Sequence, residues 1–344
     1  MNFTKRINAF ATLGNEFLSS LQADSKSPLA LCINSAQAHN PWFTSENVKL
    51  ATEAIATKWL GIGTLNKWIQ NYDSSQFNPK VPKTVGVVMA GNIPLVGFHD
   101  FMCVLLSGHR IVGKVSSKDG GLMKAVSKML ISIEPEFEDF IEITDERLTN
   151  FDAVIATGSD NSSRYFDYYF RKYPSIIRGH RNSIAVLTGK ESENDLMLLG
   201  NDIFSYFGLG CRNVSKLLVP KGYEFTRFFE ITEKWSHLIR HHRYANNYEY
   251  HRALFIINGT QHFDNGFLLV TKSDSIDSSV GVLNYQEYDS VDSVKEYINL
   301  NASKIQCVVS MSPMAGAVPF GQTQLPGIDE YADGIDTINF LANL

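Results

Sequence analysis

From residue 84 onward the chain alternates short apolar, β-branched runs with longer stretches of helical spacing. TVGVVMA (84–90), RIVGKVS (110–116), DFIEIT (139–144), DAVIATG (152–158) and SIAVLTG (183–189) are too short for ordinary helices and end at turn residues. They predict strands. GFHDFMCVLLSG (97–108), a stretch around 121–133 and SDNSSRYFDYYFRKY (159–173) predict the helices between them. Strands alternating with helices imply an α/β fold, with a parallel sheet covered on both faces.

The flanking patterns differ. Residues 1–75 are mainly helical. FTSENVKLATEAIATKWL opens with the capping candidates Thr44 and Ser45, has Glu46 in its first turn, and spaces Val48, Ala51, Ile55 and Trp59 as a helix does. In ESENDLMLLGNDIFSYF (191–207), Leu196, Leu199, Ile203 and Phe207 share one helical face. Gly208 and Gly210 suit left-handed positions that end such a helix, leaving Cys211 in a loop before the strand SKLLVP. A helix over 225–242, strands GFLLVT and VGVLNYQEY, a helix SVDSVKEYINL and a strand KIQCVVS then predict a second α/β unit. The expected division is N-terminal helices and a first α/β domain over 1–190, a cysteine-bearing α/β domain over 191–311, and a loop-rich segment 312–344 that returns to the first.

Composition narrows the function classes. The 344 residues are 44% hydrophobic and 19% charged with a formal charge of -5, and no long basic run is present. This gives no electrostatic case for nucleic acid or an anionic membrane as partner. No stretch reaches the length of a membrane span. The N-terminus lacks the apolar core of a signal peptide. Four scattered cysteines without a CxxC pair argue against a disulfide framework or a cysteine zinc site. A cytoplasmic setting with free thiols is expected, and homo-oligomerisation is left open.

Two patterns are decoys. Gly61-Ile-Gly63 and Gly208-Leu-Gly210 begin like GxGxxG but carry Asn66 and Asn213 at the third glycine position. Neither has the required strand before it and helix after it, so both are taken as helix-end turns. His237 and His241 stand four apart, but Leu238 occupies the place of the glutamate in HExxH, so no metal is expected. RHHRYANNYEYHR offers positive charge to a phosphate-bearing ligand, yet reads first as a solvated basic helix end.

Cys211 is the exception among the thiols. Cys103 and Cys307 lie in apolar helix and strand patterns, and Cys32 in LALCIN is expected to be buried with them. Cys211 follows flexible glycines in a loop. A nucleophilic thiol needs access, a stabilised anion and N–H donors for the oxyanion made when it attacks a carbonyl.

FGLGCRNVSKLLVP resembles the catalytic-cysteine segment of the aldehyde dehydrogenase superfamily. Upstream, AGNIPLVGFHDFMCVLLSGHRIVGKVSS is similar to that superfamily's Asn-x-Pro loop, helix, strand and lysine turn. DAVIATGSDNSSRYF resembles its strand, Thr-Gly-Ser turn and helix. With RGHRNSIAVL and PFGQTQLPGIDEYADGIDTINFL, the five segments resemble the acyl-CoA reductase branch related to the luciferase-linked fatty acid reductases. The good matches cover about 84–220 and 312–341.

The resemblance implies two α/β domains, one for a nicotinamide cofactor and one carrying the catalytic cysteine, and it assigns roles. Cys211 is the nucleophile. Asn92 and the Cys211 backbone N–H are oxyanion donors; such a donor is worth about 3–4 kcal/mol in the transition state. His180 is a proton-donor candidate beside a turn glycine, with a purely structural histidine as the competing reading. Lys114, Ser116, Ser117, Lys118, Gly158 and Ser159 are the cofactor residues. Ser117 replaces the glutamate that NAD-preferring members use, and Lys118 follows it, so NADPH is expected with NADH as the alternative. Ser159 or Asp160 could equally be a simple helix cap. Ile177 falls where hydrolytic members carry the glutamate that activates water. The expected reaction is therefore NADPH-dependent reduction of an acyl-CoA, with CoA as leaving group, to an aldehyde through an acyl-cysteine. A fatty acyl chain is expected. The competitors are a hydrolytic aldehyde dehydrogenase and a non-redox acyl-binding or acyl-transfer protein.

Overall fold

The structure, a computed structural model, describes residues 1–311, 314 and 316–344. Ser312, Pro313 and Ala315, at the head of the segment read as 312–344, lie outside the described residues. The chain divides into two compact units, Met1–Gly179 with Pro326–Leu344, and His180–Leu325.

The first unit opens with helices α1 (Phe3–Ser20), α2 (Pro28–His39), α3 (Ser45–Lys58) and α4 (Ile62–Ile69). Asn2, Ser27 and Thr44 start the first three by accepting from a backbone N–H three residues on, which satisfies an orphan donor of the first turn. Gly61 is the N-cap of α4, so the Gly61–Gly63 pair opens a helix rather than ending one. Cys32 is half-buried on α2, not a core residue, because that helix turns mainly Leu29, Ala30, Ile33 and Ala36 inward.

Next come β1 (Thr84–Val88), α5 (Phe98–Leu106), β2 (Arg110–Lys114), α6 (Leu122–Ile133), β3 (Ile141–Thr144), β4 (Ala153–Thr157), α7 (Asp160–Phe170) and β5 (Ser175–Arg178). The sheet order is β3-β2-β1-β4-β5, parallel throughout. Its central strands are buried on both faces, which is why they are continuous apolar runs in the sequence. β5, four residues long, had no strand of its own in the sequence reading. After β3 the chain returns to the other side of β1, so the order reverses between β1 and β4. At such a switch point, loops leaving the carboxyl ends of the strands diverge and open a crevice. Within this unit α12 (Thr337–Ala342) buries Ile338 and Leu341.

The second unit holds β6 (Asn182–Val186), α8 (Glu193–Phe204), β7 (Val214–Pro220), α9 (Thr226–Thr232), α10 (His242–Asn258), β8 (His262–Asp264), β9 (Leu269–Lys272), β10 (Val282–Tyr288), α11 (Val291–Leu300), β11 (Ile305–Ser310) and β12 (Ala317–Val318). The order is β12-β11-β6-β7-β10-β9-β8, with only β8 antiparallel to its neighbour. The division precedes the boundary read near 190 because β6 pairs with β7 and β11. The expected single helix over 225–242 is α9 followed by a 3-10 stretch, Glu233–Arg240. His237 lies in that stretch and His241 caps α10, so the two do not share an α-helical face. Among the described residues no cluster of three or more His, Cys, Asp or Glu could hold a metal ion. Nor is any described helix long and apolar enough to cross a membrane.

Candidate active site

α8 stops at Phe204, four residues before the expected glycine. Tyr206, Phe207 and Gly208 then take left-handed backbone angles, φ 52°, 59° and 77°. Phe207 is therefore off the helical face predicted for it, and Gly210 has no left-handed angle. Two bulky residues in this region are strained. Burial holds them there, since Tyr206 is 5% and Phe207 7% exposed.

A tight turn follows. The Asn213 N–H donates to the Gly210 carbonyl at 3.0 Å, and the Gly210 N–H donates to Asn213 Oδ1 at 2.8 Å. Cys211 and Arg212 are the residues between. Cys211 is half-buried, and its carbonyl accepts from Ser183 Oγ at 3.0 Å. Arg212 Nε donates to the Thr323 carbonyl. Asn213 Nδ2 donates to the carbonyls of Asp202 at 3.1 Å and Ser205 at 2.9 Å, satisfying acceptors that the end of α8 leaves open. Asn213 is the residue the sequence reading missed; it counted only as a failed glycine position. The signal available was an asparagine two residues after the cysteine, a type that readily closes turns.

In the first unit three turns leave the carboxyl ends of β1, β2 and β4. The first carries Asn92, which is exposed, and Leu95, buried with φ 56°. The second begins at Lys114, whose Nζ donates to the Asp145 carbonyl at 2.9 Å. Ser116 Oγ accepts from the Lys118 N–H at 3.2 Å, while Ser117 and Lys118 are exposed. These two turns pack closely: a Cβ on Gly91 would sit 2.5 Å from Ser116 Oγ. Asp119 closes the second turn by accepting from the Met123 N–H at 3.0 Å; burial pushes its carboxyl up to about 6.

At the third turn a Cβ on Gly158 would come within 2.7 Å of Ser162 Cβ and 2.9 Å of Phe166 Cε2. Glycine thus lets α7 start hard against β4. Ser159 caps α7 by accepting from the Ser162 N–H, so its hydroxyl already has the structural use foreseen for it. The cofactor residues named from the sequence, with Asn92, therefore share one edge of one sheet, beside the β1/β4 switch point.

Ile177 lies in β5 opposite Ala156 and brings no carboxylate to that strand. The neighbouring Arg178 is buried, with Nη1 paired to Asp100 Oδ2 at 2.6 Å. His180 is exposed at the start of the second unit. Cys103 is fully buried, which pushes its thiol well above its ordinary pKa, so it is a poor nucleophile.

Residues 62–230 match the model of the family described as acyl-CoA reductase (LuxC). No curated protein sequence matches the chain. Solved structures share its fold. The acetylating aldehyde dehydrogenase from Geobacillus thermoglucosidasius superposes with a TM-score of 0.66 at 10% identity, over 96% of this chain and 84% of that one. Aldehyde dehydrogenase 21 from Physcomitrella patens, in complex with the reaction product succinate, gives 0.66 at 13% identity, over 100% and 84%. A propionaldehyde dehydrogenase from Clostridium phytofermentans gives 0.61 at 9% identity, over 93% and 87%.

Proposed function

We propose that this oxidoreductase, whose residues 62–230 match the acyl-CoA reductase (LuxC) family model, reduces an acyl-CoA thioester to an aldehyde through a covalent acyl-cysteine. The overall change is acyl-CoA, NADPH and a proton to aldehyde, NADP⁺ and free CoA. The Cys211 thiolate attacks the acyl carbonyl, and the Cys211 backbone N–H and the Asn92 amide are the donors for its oxygen. The carbon–sulfur bond to CoA breaks, CoA takes a proton from His180 as general acid, and the acyl group stays on sulfur. When bound, the nicotinamide supplies the hydride. The resulting thiohemiacetal on Cys211 collapses, freeing the aldehyde and restoring the thiol.

The residues at the first sheet's switch-point edge fit a dinucleotide. Gly91 and Gly158 keep the turns free of side chains, and the first turn of α7 favours an anion such as a pyrophosphate. Lys114 is assigned to the ribose and Ser116 to the turn beside it. The exposed Ser117 and Lys118 repel no 2′-phosphate, which favours NADPH over NADH. Ile177 in place of a carboxylate supports reduction over hydrolysis, because nothing at that position activates water.

The observation that carries this reading is the turn at 210–213, which holds a half-buried thiol beside backbone tied down on both sides. The test uses radiolabelled acyl-CoAs of graded chain length, fatty acyl chains included, with NADPH or NADH. Wild type is expected to take up one acyl label and to turn over faster with NADPH. Cys211→Ala is expected to take up none. Label bound covalently to that variant, or acid formed from aldehyde without CoA, would contradict the proposal.

A further inference from the structure

We propose that Asn213 is a positioning residue for the Cys211 thiol, an inference that rests on Cys211 being the acyl-accepting group. The Asn213 side chain is 2% exposed and uses both ends of its amide. The oxygen takes the Gly210 N–H, and the nitrogen serves carbonyls at the end of α8. One side chain thus joins the first residue of the cysteine turn, the last residue of that turn and the helix that delivers it.

Each of the four turn residues is held at a different point. Gly210 is tied through its N–H, Cys211 through its carbonyl to Ser183, Arg212 through its guanidinium to Thr323, and Asn213 through its amide. A second layer supports this one. The Asp202 carboxylate accepts from the Gly321 N–H at 2.7 Å, the Thr323 N–H at 3.1 Å and Thr323 Oγ1 at 2.8 Å. The same Asp202 gives its carbonyl to Asn213. The segment that receives Arg212 is therefore pinned to the residue that receives Asn213.

Asparagine is the side chain this position requires. An aspartate would keep the acceptor for Gly210 but would set an oxygen against the carbonyls of Asp202 and Ser205. An alanine would release the turn from α8. Nucleophilic attack depends on geometry steeply enough that a displacement of about 1 Å costs about 100-fold in rate. The strained Tyr206 and Phe207 just upstream give the loop a reason to relax once that tie is cut.

The experiment measures single-turnover acylation of the full chain by radiolabelled octanoyl-CoA in Asn213→Ala, Asn213→Asp and Ser183→Ala. Cys211→Ala is the control, and circular dichroism melting reports folding. Folded Asn213 variants are expected to acylate about 100-fold more slowly at saturating octanoyl-CoA. The half-saturating concentration should stay within about twofold, because the substrate is still bound and only the attack is misaligned. Ser183→Ala, which leaves the Asn213 ties in place, is expected to lie between these variants and wild type. A folded Asn213 variant that acylates within about twofold of wild type overturns the proposal, as does failure of both Asn213 variants to fold, which would make the residue part of the fold alone. Label retained by Cys211→Ala is a different result: it removes the acyl-cysteine reading itself.

Discussion

Arg178 and Asp100 form a buried ion pair in the first unit, 2.6 Å between Nη1 and Oδ2, with side chains 5% and 9% exposed. Arg178 also donates through Nη2 to Thr337 Oγ1 at 3.2 Å, so the pair joins the end of β5, the first turn of α5 and the first turn of α12. Asp100→Ala leaves a guanidinium buried without its counter-charge, which costs about 3–5 kcal/mol. Urea denaturation of the variant is expected to show a loss of that size. The double variant Asp100→Ala/Arg178→Met is expected to recover much of it. A loss below about 1 kcal/mol in the single variant would show that the pair is not what holds these three segments.

Gly158 has no room for a methyl group. Gly158→Ala forces a Cβ into contact with Ser162 and Phe166 and pushes the first turn of α7 away from β4. Overpacking of this kind costs about 1–3 kcal/mol. Fluorescence titration with NADPH is expected to give weaker binding in Gly158→Ala than in wild type, with the melting temperature lowered. Unchanged binding would place the dinucleotide away from this turn.

The four thiols are expected to differ in reactivity. Burial raises Cys103 strongly and Cys32 less so, and Cys307 is buried in β11. Brief treatment with iodoacetamide at neutral pH, followed by peptide mass spectrometry, is expected to modify Cys211 first, Cys32 slowly, and Cys103 and Cys307 only after denaturation. Early modification of Cys103 would contradict the packing of α5.

Lys216 gives a pH signature. It is fully buried in β7, and its ammonium donates to the Asp274 carbonyl, Gln286 Oε1 and Tyr297 Oη at 2.8–3.0 Å. Burial lowers its pKa to about 8 from 10.5. Between those values the unfolded chain holds a proton that the folded chain has released, so this group's contribution to stability improves as pH rises from about 8 to 10.5. Denaturation of wild type and Lys216→Met across that range is expected to show the difference moving in favour of wild type as pH rises. A flat difference would mean that Lys216 stays charged.

The first sheet was legible because its strands are buried on both faces, which writes them as unbroken apolar runs such as VGVV and AVIA. The edge that gathers Asn92, Lys114 and Gly158 followed from the turns after those strands. α10 was not legible. It buries only Tyr244 and Tyr248 of its length, so no apolar stripe marks it, and its histidines and arginines resemble a solvated helix end. Phe207 was misplaced because its spacing continues the α8 stripe, while the backbone reverses at Tyr206. The hold of Asn213 on α8 was hidden for another reason. It depends on carbonyls of residues 202–205, brought back by a turn that periodicity does not encode.

The first unit is interrupted in sequence by the second, since Pro326–Leu344 packs with residues before 180. This sets an order of events during synthesis. Every residue of the second sheet is synthesised before Thr337 exists to receive Arg178, or before the Leu341 carbonyl can meet the His109 ring. Domains generally fold as units as they emerge. The earlier-made α5 therefore waits, partly uncovered, for α12 to close over it, and the whole cysteine-bearing unit is synthesised during that wait.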